Sequence, residues 1–186
     1  MDKLIIEKTA LALFKKHTYD EVKVSDICRA CGITKPTFYH YVASKDDLLV
    51  TYYDQAVGHM AEALSEVSDG QDPWGQLEAC FGALMDETER IGAELLGRII
   101  SINIQEDRHS FDRRSSVTDQ LVGIIRRGQG CGRFANRQDP TELYEACAHM
   151  FQGYELLWCI RKGQTDWRAN FLSGLHSMLQ VSEAKR

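Results

Sequence analysis

Val24–Lys45 reads VSDICRACGITKPTFYHYVASK, and its reading decides the fold. Val24, Ile27, Cys28 and Cys31 stand at i, i+3, i+4 and i+7, the spacing that lays one apolar stripe along a helix. Ser25 and Asp26 open that helix with short oxygen side chains that accept from its unpaired N–H groups. Gly32 follows the last apolar position and can take the left-handed conformation that ends a helix. Thr34 then caps a second helix over about Lys35–Tyr41. Pro36 lies in its first turn, where a missing N–H costs nothing. The pattern is a helix-turn-helix. Its second helix is too short to persist alone, so Phe38 must hold it against the first, with Val42 closing the end.

The far side of that second helix presents Lys35, Thr37, Tyr39, His40 and Tyr41. Ser44 caps a third helix and Lys45 opens it. Hydroxyls and a lysine at helix starts suit phosphate oxygens, and Tyr or His beside them reach phosphates or base edges in a major groove. Ser25, Thr34, Lys35, Thr37, Tyr39, His40, Tyr41 and Lys45 are therefore the candidate DNA-contacting residues. In an ordinary helical hairpin the same side chains would simply be solvated, and the motif needs context to decide.

The context is a longer pattern. Ile6, Ala10, Leu13 and Phe14 are followed by Tyr19, Val24, Asp26 and Ile27, then Gly32-Ile33-Thr34-Lys35, Thr37-Phe38-Tyr39, Tyr41, Ser44-Lys45 and Leu48. Residues 6 to 49 thereby resemble the DNA-binding domain of the tetracycline-repressor (TetR-like) family of transcriptional regulators. Two departures are visible: Val42 stands where the family usually has Phe, and Pro36 where Gly or Ala is common. The resemblance implies an all-α protein of about nine helices, with an N-terminal helix-turn-helix head (residues 1–49, motif 24–43) on a helical ligand-binding and dimerisation body (50–186). It implies a homodimer that binds double-stranded, pseudo-palindromic operator DNA in the cytoplasm, most often as a repressor released by a small-molecule effector.

Composition agrees with a soluble globular chain. The 186 residues are 44% hydrophobic and 26% charged with net charge −5, enough for a sizeable core. A net negative chain is not a general nucleic-acid binder. The charge is uneven, however: residues 1–50 hold eight basic and seven acidic residues, the other 136 hold 14 and 20. No run of 18 apolar residues is present, so no membrane span is expected. Six cysteines in a cytosolic chain are expected to be reduced.

Helix one is expected over Asp2–His17, a linking helix over Lys45–Val67, and a break over Ser68–Pro73. Further helices are expected over Trp74–Arg90 and Gly92–Gln105, then to about Arg127, and from Pro140 to near Gly163. The last is capped by Asp166. Gly128–Asp139 reads as a long loop. Tyr154, Trp158, Phe171, Leu175 and Met178 carry more apolar surface than the edge of a small monomer needs, with Gly153 and Gly174 permitting close approach. The resemblance implies that these last two helices pair with their copies in a dimer. The alternative is that they complete the monomer core.

Tyr52, Met60, Phe81, Arg98, Asn103, His149 and Gln152 are candidates to line an effector cavity, because polar groups amid apolar neighbours give such sites their specificity. They could equally face solvent or satisfy one another. Cys28 and Cys31 form C-x-x-C. Without a second pair they lack the four ligands of a structural zinc, which leaves packing or a redox-responsive switch. No metal or cofactor is expected, and no phosphate loop, nucleophile elbow or metalloprotease motif argues for an enzyme. A helical adaptor that never touches DNA is the remaining alternative.

Overall fold

The structure, a computed structural model, is described over residues 2–64, 72–112 and 115–183, without the side chains of 56–64 and 116. The described residues form nine helices, in order α1 (Lys3–Lys16), α2 (Val24–Cys31), α3 (Lys35–Tyr41), α4 (Lys45–Leu64), α5 (Pro73–Ile91), α6 (Ala93–Gln105), α7 (Ser115–Gly130), α8 (Pro140–Ile160) and α9 (Trp167–Leu179). The break expected over Ser68–Pro73 falls outside the described residues apart from Asp72 and Pro73, which cap and open α5. The β-branched run in α6 forms a helix, as expected. The expected loop at Gly128–Asp139 begins later, because α7 continues to Gly130. Its remainder is pinned: Phe134 bridges Val181 in antiparallel fashion, and Ala135 N–H donates to the Gln180 carbonyl at 3.1 Å.

Caps set the ends of these helices. Asp2, Asp72, Asp139 and Asp166 each accept a backbone N–H of the first turn they precede, which satisfies donors that the helix cannot. Gly128 is glycine for a packing reason. A Cβ there would lie 2.2 Å from the Phe134 ring, which is fully buried.

The chain divides into two compact units. One holds Met1–Ala56 with Glu94–Ser110, the other Val57–Ala93 with Phe111–Arg186. The boundary expected at 49/50 is thus drawn differently: α6, distant in sequence, shares a unit with the N-terminal helices. In the first unit α2 packs on both α1 and α3, around Ile6, Ala10, Ile27, Phe38 and Leu49, all at 0% exposure. In the second, α7 packs on α5 and α8, and α8 on α9.

That second unit corrects the expected dimer surface. Trp158 is 7% exposed, Phe171 and Leu175 are 0% exposed, and the Phe171 ring sits 4.8 Å from Phe81 and 5.2 Å from Phe151. These three side chains belong to the protomer's own core. Tyr154 and Met178 are half-buried. Gly174 does admit a close approach, but within the protomer, with Met150 Sδ 3.0 Å from where its Cβ would be; Gly153 has nothing within 4 Å. The large apolar side chains exposed on α8 are Leu156, Leu157 and Ile160.

Candidate nucleic-acid interface and body site

The helix-turn-helix is built as its sequence reads. Gly32 ends α2 at φ 65°, ψ 33°, the left-handed region where glycine avoids the Cβ penalty. Ile33 N–H returns to the Cys28 carbonyl at 2.9 Å. The start of α2 differs in detail: Lys23 holds the cap position, and the Asp26 carboxylate reaches back to accept the Lys23 N–H at 2.9 Å and the Arg29 guanidinium at 2.7 Å. The Lys23 hydrogen bond, ahead of the basic neighbours, holds that carboxyl below the usual range. Thr34 Oγ1 caps α3 by accepting the Thr37 N–H at 3.3 Å and pairs with Thr37 Oγ1 at 2.9 Å. Phe38 is fully buried under the seven-residue α3. Removing such a ring from water contributes roughly 2–3 kcal/mol, more than so short a helix can supply from its own backbone bonds.

On the other side of α3, Thr34, Lys35, Tyr39 and His40 are exposed, while Thr37 and Tyr41 are half-buried. Tyr39 stands edge-on to Phe38 with ring centroids 5.3 Å apart, and His40 edge-on to Tyr41 at 5.1 Å. The helix therefore presents a cation, hydroxyls and two ring-borne donors on one rigid face. Ser25, at the start of α2, is half-buried.

Lys45 is placed otherwise than on that face. Its ammonium donates to the carbonyls of Tyr19 at 2.7 Å and Val22 at 3.0 Å and lies 3.9 Å from the Tyr19 ring centroid. Loss of water draws it below an ordinary lysine even though Asp20 and Asp46 oppose the shift. In this geometry the charge ties the start of α4 to the α1–α2 turn, and the phosphate role read from the sequence has no free ammonium to perform it. Ser44 does cap α4, accepting the Asp47 N–H at 3.0 Å.

Around Lys45 lies a polar cluster that the sequence did not single out. The Tyr19 phenol donates to Asp46 Oδ1, and its backbone N–H to Glu94 Oε1 at 3.1 Å. Arg98 Nη2 is 3.5 Å from Asp46, with its guanidinium 5.1 Å from the Tyr19 centroid. Burial, followed by the Asp46 hydrogen bond, keeps the phenol protonated. Arg108 adds a 3.2 Å pair with Asp47. Two residues of α6 and one just beyond it thus grip the first turn of α4 and the turn before α2.

Of the seven expected cavity residues, Tyr52, Arg98 and Asn103 belong to the first unit and Phe81, His149 and Gln152 to the second. Arg98 belongs to the cluster just described. Asn103 binds the Ile99 carbonyl at 3.0 Å and Ser110 Oγ at 3.2 Å, and accepts the Arg108 N–H, so it closes the end of α6. Phe81 is buried among rings. Gln152 donates to the Phe111 carbonyl at 3.4 Å, His149 is exposed, and Tyr52 lies under Lys15 at 5.9 Å. The Met60 side chain lies outside the described residues. A cleft in the head is lined instead by residues of α1, α2 and their connection, Leu13 and Arg29 among them.

The cysteines are free. Burial, then the neighbouring Cys31, pushes the Cys28 thiol up, away from the thiolate that oxidation requires. Burial raises Cys80 to about 11 and Cys147 to about 12. Among the described residues no group of three or more His, Cys, Asp or Glu could hold a metal ion, and no helix is long and apolar enough to cross a membrane.

The body holds one polar site that the sequence reading passed over. Glu155, 4% exposed, accepts from Thr88 Oγ1 at 2.6 Å. Burial lifts its carboxyl to about 7 against the opposing Thr88 hydrogen bond, and Cys159, one turn on, is raised to about 12 by burial and by that carboxylate. The signal was available: Phe151, Glu155 and Trp158 stand at i, i+4 and i+7, so the acid falls on the apolar stripe.

Parts of this chain are similar to known proteins. Residues 6–51 match the family described as bacterial regulatory proteins, tetR family. The HTH-type transcriptional regulator YerO of Bacillus subtilis is 27% identical over 139 residues, covering 69% of this chain and 48% of YerO. The HTH-type transcriptional regulator EthR of Mycobacterium tuberculosis is 33% identical over 66 residues, 36% of this chain and 31% of EthR. This chain thus spans about half or less of the length of these curated relatives. Among solved structures, Thermus thermophilus FadR, a TetR-family repressor in complex with lauroyl-CoA, superposes with a TM-score of 0.75 at 20% identity, over 100% of this chain and 98% of that one.

Proposed function

The chain is a member of the TetR-like family of helix-turn-helix proteins, and from that premise we propose that it is a transcriptional regulator. It binds a pseudo-palindromic operator as a homodimer and is released by a small-molecule effector. The observation that carries the reading is the exposed face of α3. Lys35, Tyr39 and His40 stand together on a helix that Phe38 and the Thr34 cap hold rigid. A short helix held this way suits the major groove, where base edges are distinguishable. EthR and YerO are HTH-type transcriptional regulators by name, which supports the same reading.

The dimer would use α8, whose Leu156, Leu157 and Ile160 are 42%, 48% and 65% exposed. Apolar side chains grouped on one helix mark an association surface. The route from effector to DNA would run through α6, because Glu94 and Arg98 hold the Tyr19–Asp46 pair at the base of the head. An effector that binds the released state more tightly than the DNA-bound one shifts the balance by that difference and no more, and coupling of about 1–3 kcal/mol lowers operator affinity roughly 5- to 150-fold.

Fluorescence anisotropy with DNA from upstream of the chain's own gene tests the reading. Specific binding that vanishes into bulk competitor DNA, or affinity and sequence preference unchanged in Thr37→Ala, Tyr39→Ala and His40→Ala alike, would overturn it. Sedimentation showing a monomer at micromolar concentration with and without DNA would remove the dimer.

A further inference from the structure

The second unit contains a buried acid with no basic partner among the described residues. Five rings form a continuous cluster: Phe81 lies 5.8 Å from Phe151 and 4.8 Å from Phe171, Phe151 lies 5.4 Å from Trp167, and Trp158 lies 5.9 Å from Trp167. Glu155 sits on α8 between Phe151 and Trp158, the two rings that both touch Trp167. Its hydrogen bond from Thr88 is neutral. No Lys, Arg or His among the described residues pairs with it; the arginines of α5 and α9, Arg90 and Arg168, are engaged with Glu87, Asp86 and Glu89, and His176 of α9 stands edge-on to Trp74.

The cluster is also incomplete on the donor side. Trp167 is 2% exposed, yet among the described residues its indole Nε1–H has no hydrogen-bond partner, and neither does the buried Thr165 Oγ1 two residues before it. Buried polar groups in native proteins are nearly always paired, and a charged group without a counter-ion is the costliest kind to enclose. A leucine at 155 would pack in such a core without either penalty. What this core offers is ring faces, one carboxylate and a spare N–H donor.

We propose that Glu155, with the rings of Phe151, Trp158 and Trp167, forms the polar anchor of the effector site, and that the effector is an organic cation with a mainly apolar body. The proposal rests on the regulator reading and names its ligand class. The cation supplies the charge that Glu155 lacks, and a desolvated cation gains further from the ring faces. An oxygen on the same molecule would accept from Trp167. An acyl chain ending in a carboxylate is disfavoured, because the two acids repel; the lauroyl-CoA of Thermus thermophilus FadR is therefore the natural contrast.

The experiment uses the full chain and four probes of similar chain length: decyltrimethylammonium below its micelle concentration, decanol, decanoate and lauroyl-CoA. Calorimetry should show decyltrimethylammonium binding at least ten-fold more tightly than decanol or decanoate. Glu155→Gln should weaken the cation ten-fold or more and leave decanol within about two-fold. In the unmodified protein at pH 7, titration in buffers of different ionisation heat should show release of a fraction of a proton on cation binding. The permanent cation stabilises the ionised carboxylate, while Cys159, also facing this site, stays protonated. This second reading needs no variant and stands if Glu155→Gln fails to fold. Tighter binding of decanoate or lauroyl-CoA, or cation binding with no proton release and no response to Glu155→Gln, overturns the proposal. Operator affinity is measured separately. A chain that binds its operator but no cation refutes the ligand class alone, and one that binds the cation but no DNA refutes the regulator reading alone.

Discussion

Tyr19 and Glu155 are both buried polar groups, 2% and 4% exposed, and their surroundings are opposite. Tyr19 is met from several directions, by Asp46 on its hydroxyl, Glu94 on its N–H, and Lys45 and Arg98 over its ring. Glu155 accepts from one hydroxyl among the described residues, that of Thr88. In a low-dielectric interior an acid paired with a base is held in one geometry, whereas an acid without one retains an unmet preference. The comparison teaches that burial alone does not separate scaffold from site; a basic partner beside the acid, which Asp46 has in Arg98 and Glu155 lacks among the described residues, does. The cluster at Tyr19 joins α6 to the start of α4, and Glu155 joins α8 to α5 through one hydroxyl.

The comparison can be broken most forcefully in the head. Phe38→Ala should cost about 3–5 kcal/mol, the usual range for a fully buried ring, and abolish operator binding, because α3 loses what holds it to α2. Chemical denaturation followed by circular dichroism reads the loss. A cost below 1 kcal/mol would mean that α3 is held by something else.

A pH series on Glu155 sharpens the contrast at the next magnitude. Its carboxyl is raised from 4.5 to about 7, so the folded state binds the proton more tightly than the unfolded chain. The resulting stability is fully present below pH 4.5 and is lost as pH rises toward 7, a change of roughly 3 kcal/mol. Glu155→Gln, which cannot ionise, should flatten this part of the profile. Parallel profiles for the two proteins between pH 4.5 and 7 would contradict the burial of an unpaired acid.

Lys45→Ala should have the smallest effect and the most telling one. Loss of two charge-assisted bonds, discounted for partial exposure, should cost about 1 kcal/mol of stability, and operator affinity should fall with it. The dependence of affinity on salt should keep its slope, since no phosphate contact is removed. A slope lower by about one unit would restore Lys45 to the phosphate backbone.

Much of the first unit was legible in order along the chain. Apolar spacing, Gly32, Thr34 and Pro36 act within a turn or two of themselves, so Val24–Lys45 carries its own structure in local terms, and α3 spans Lys35–Tyr41 as expected. The dimer candidates fared differently. Periodicity identifies an apolar stripe but not which of two neighbours it meets, so Trp158, Phe171 and Leu175 read as surface and proved to be core. The cavity candidates were chosen as polar residues near apolar ones. Arg98 and Asn103 spend their groups on partners in their own unit, some of them tens of residues away.

The sequence by itself determined the helices, the caps at Thr34, Ser44 and Asp166 and the helix-turn-helix with its outward Lys35, Tyr39 and His40, because propensity, capping and hydrophobic period are properties of residues within four or five positions. Only the tertiary structure decided where charges end. It turned the Lys45 ammonium inward to Tyr19 and Val22, brought Glu94 and Arg98 to the base of the head, and left Glu155 with Thr88 across 67 positions of chain. Coulomb and desolvation energies depend on distance and dielectric, and neither is written in the order of the residues.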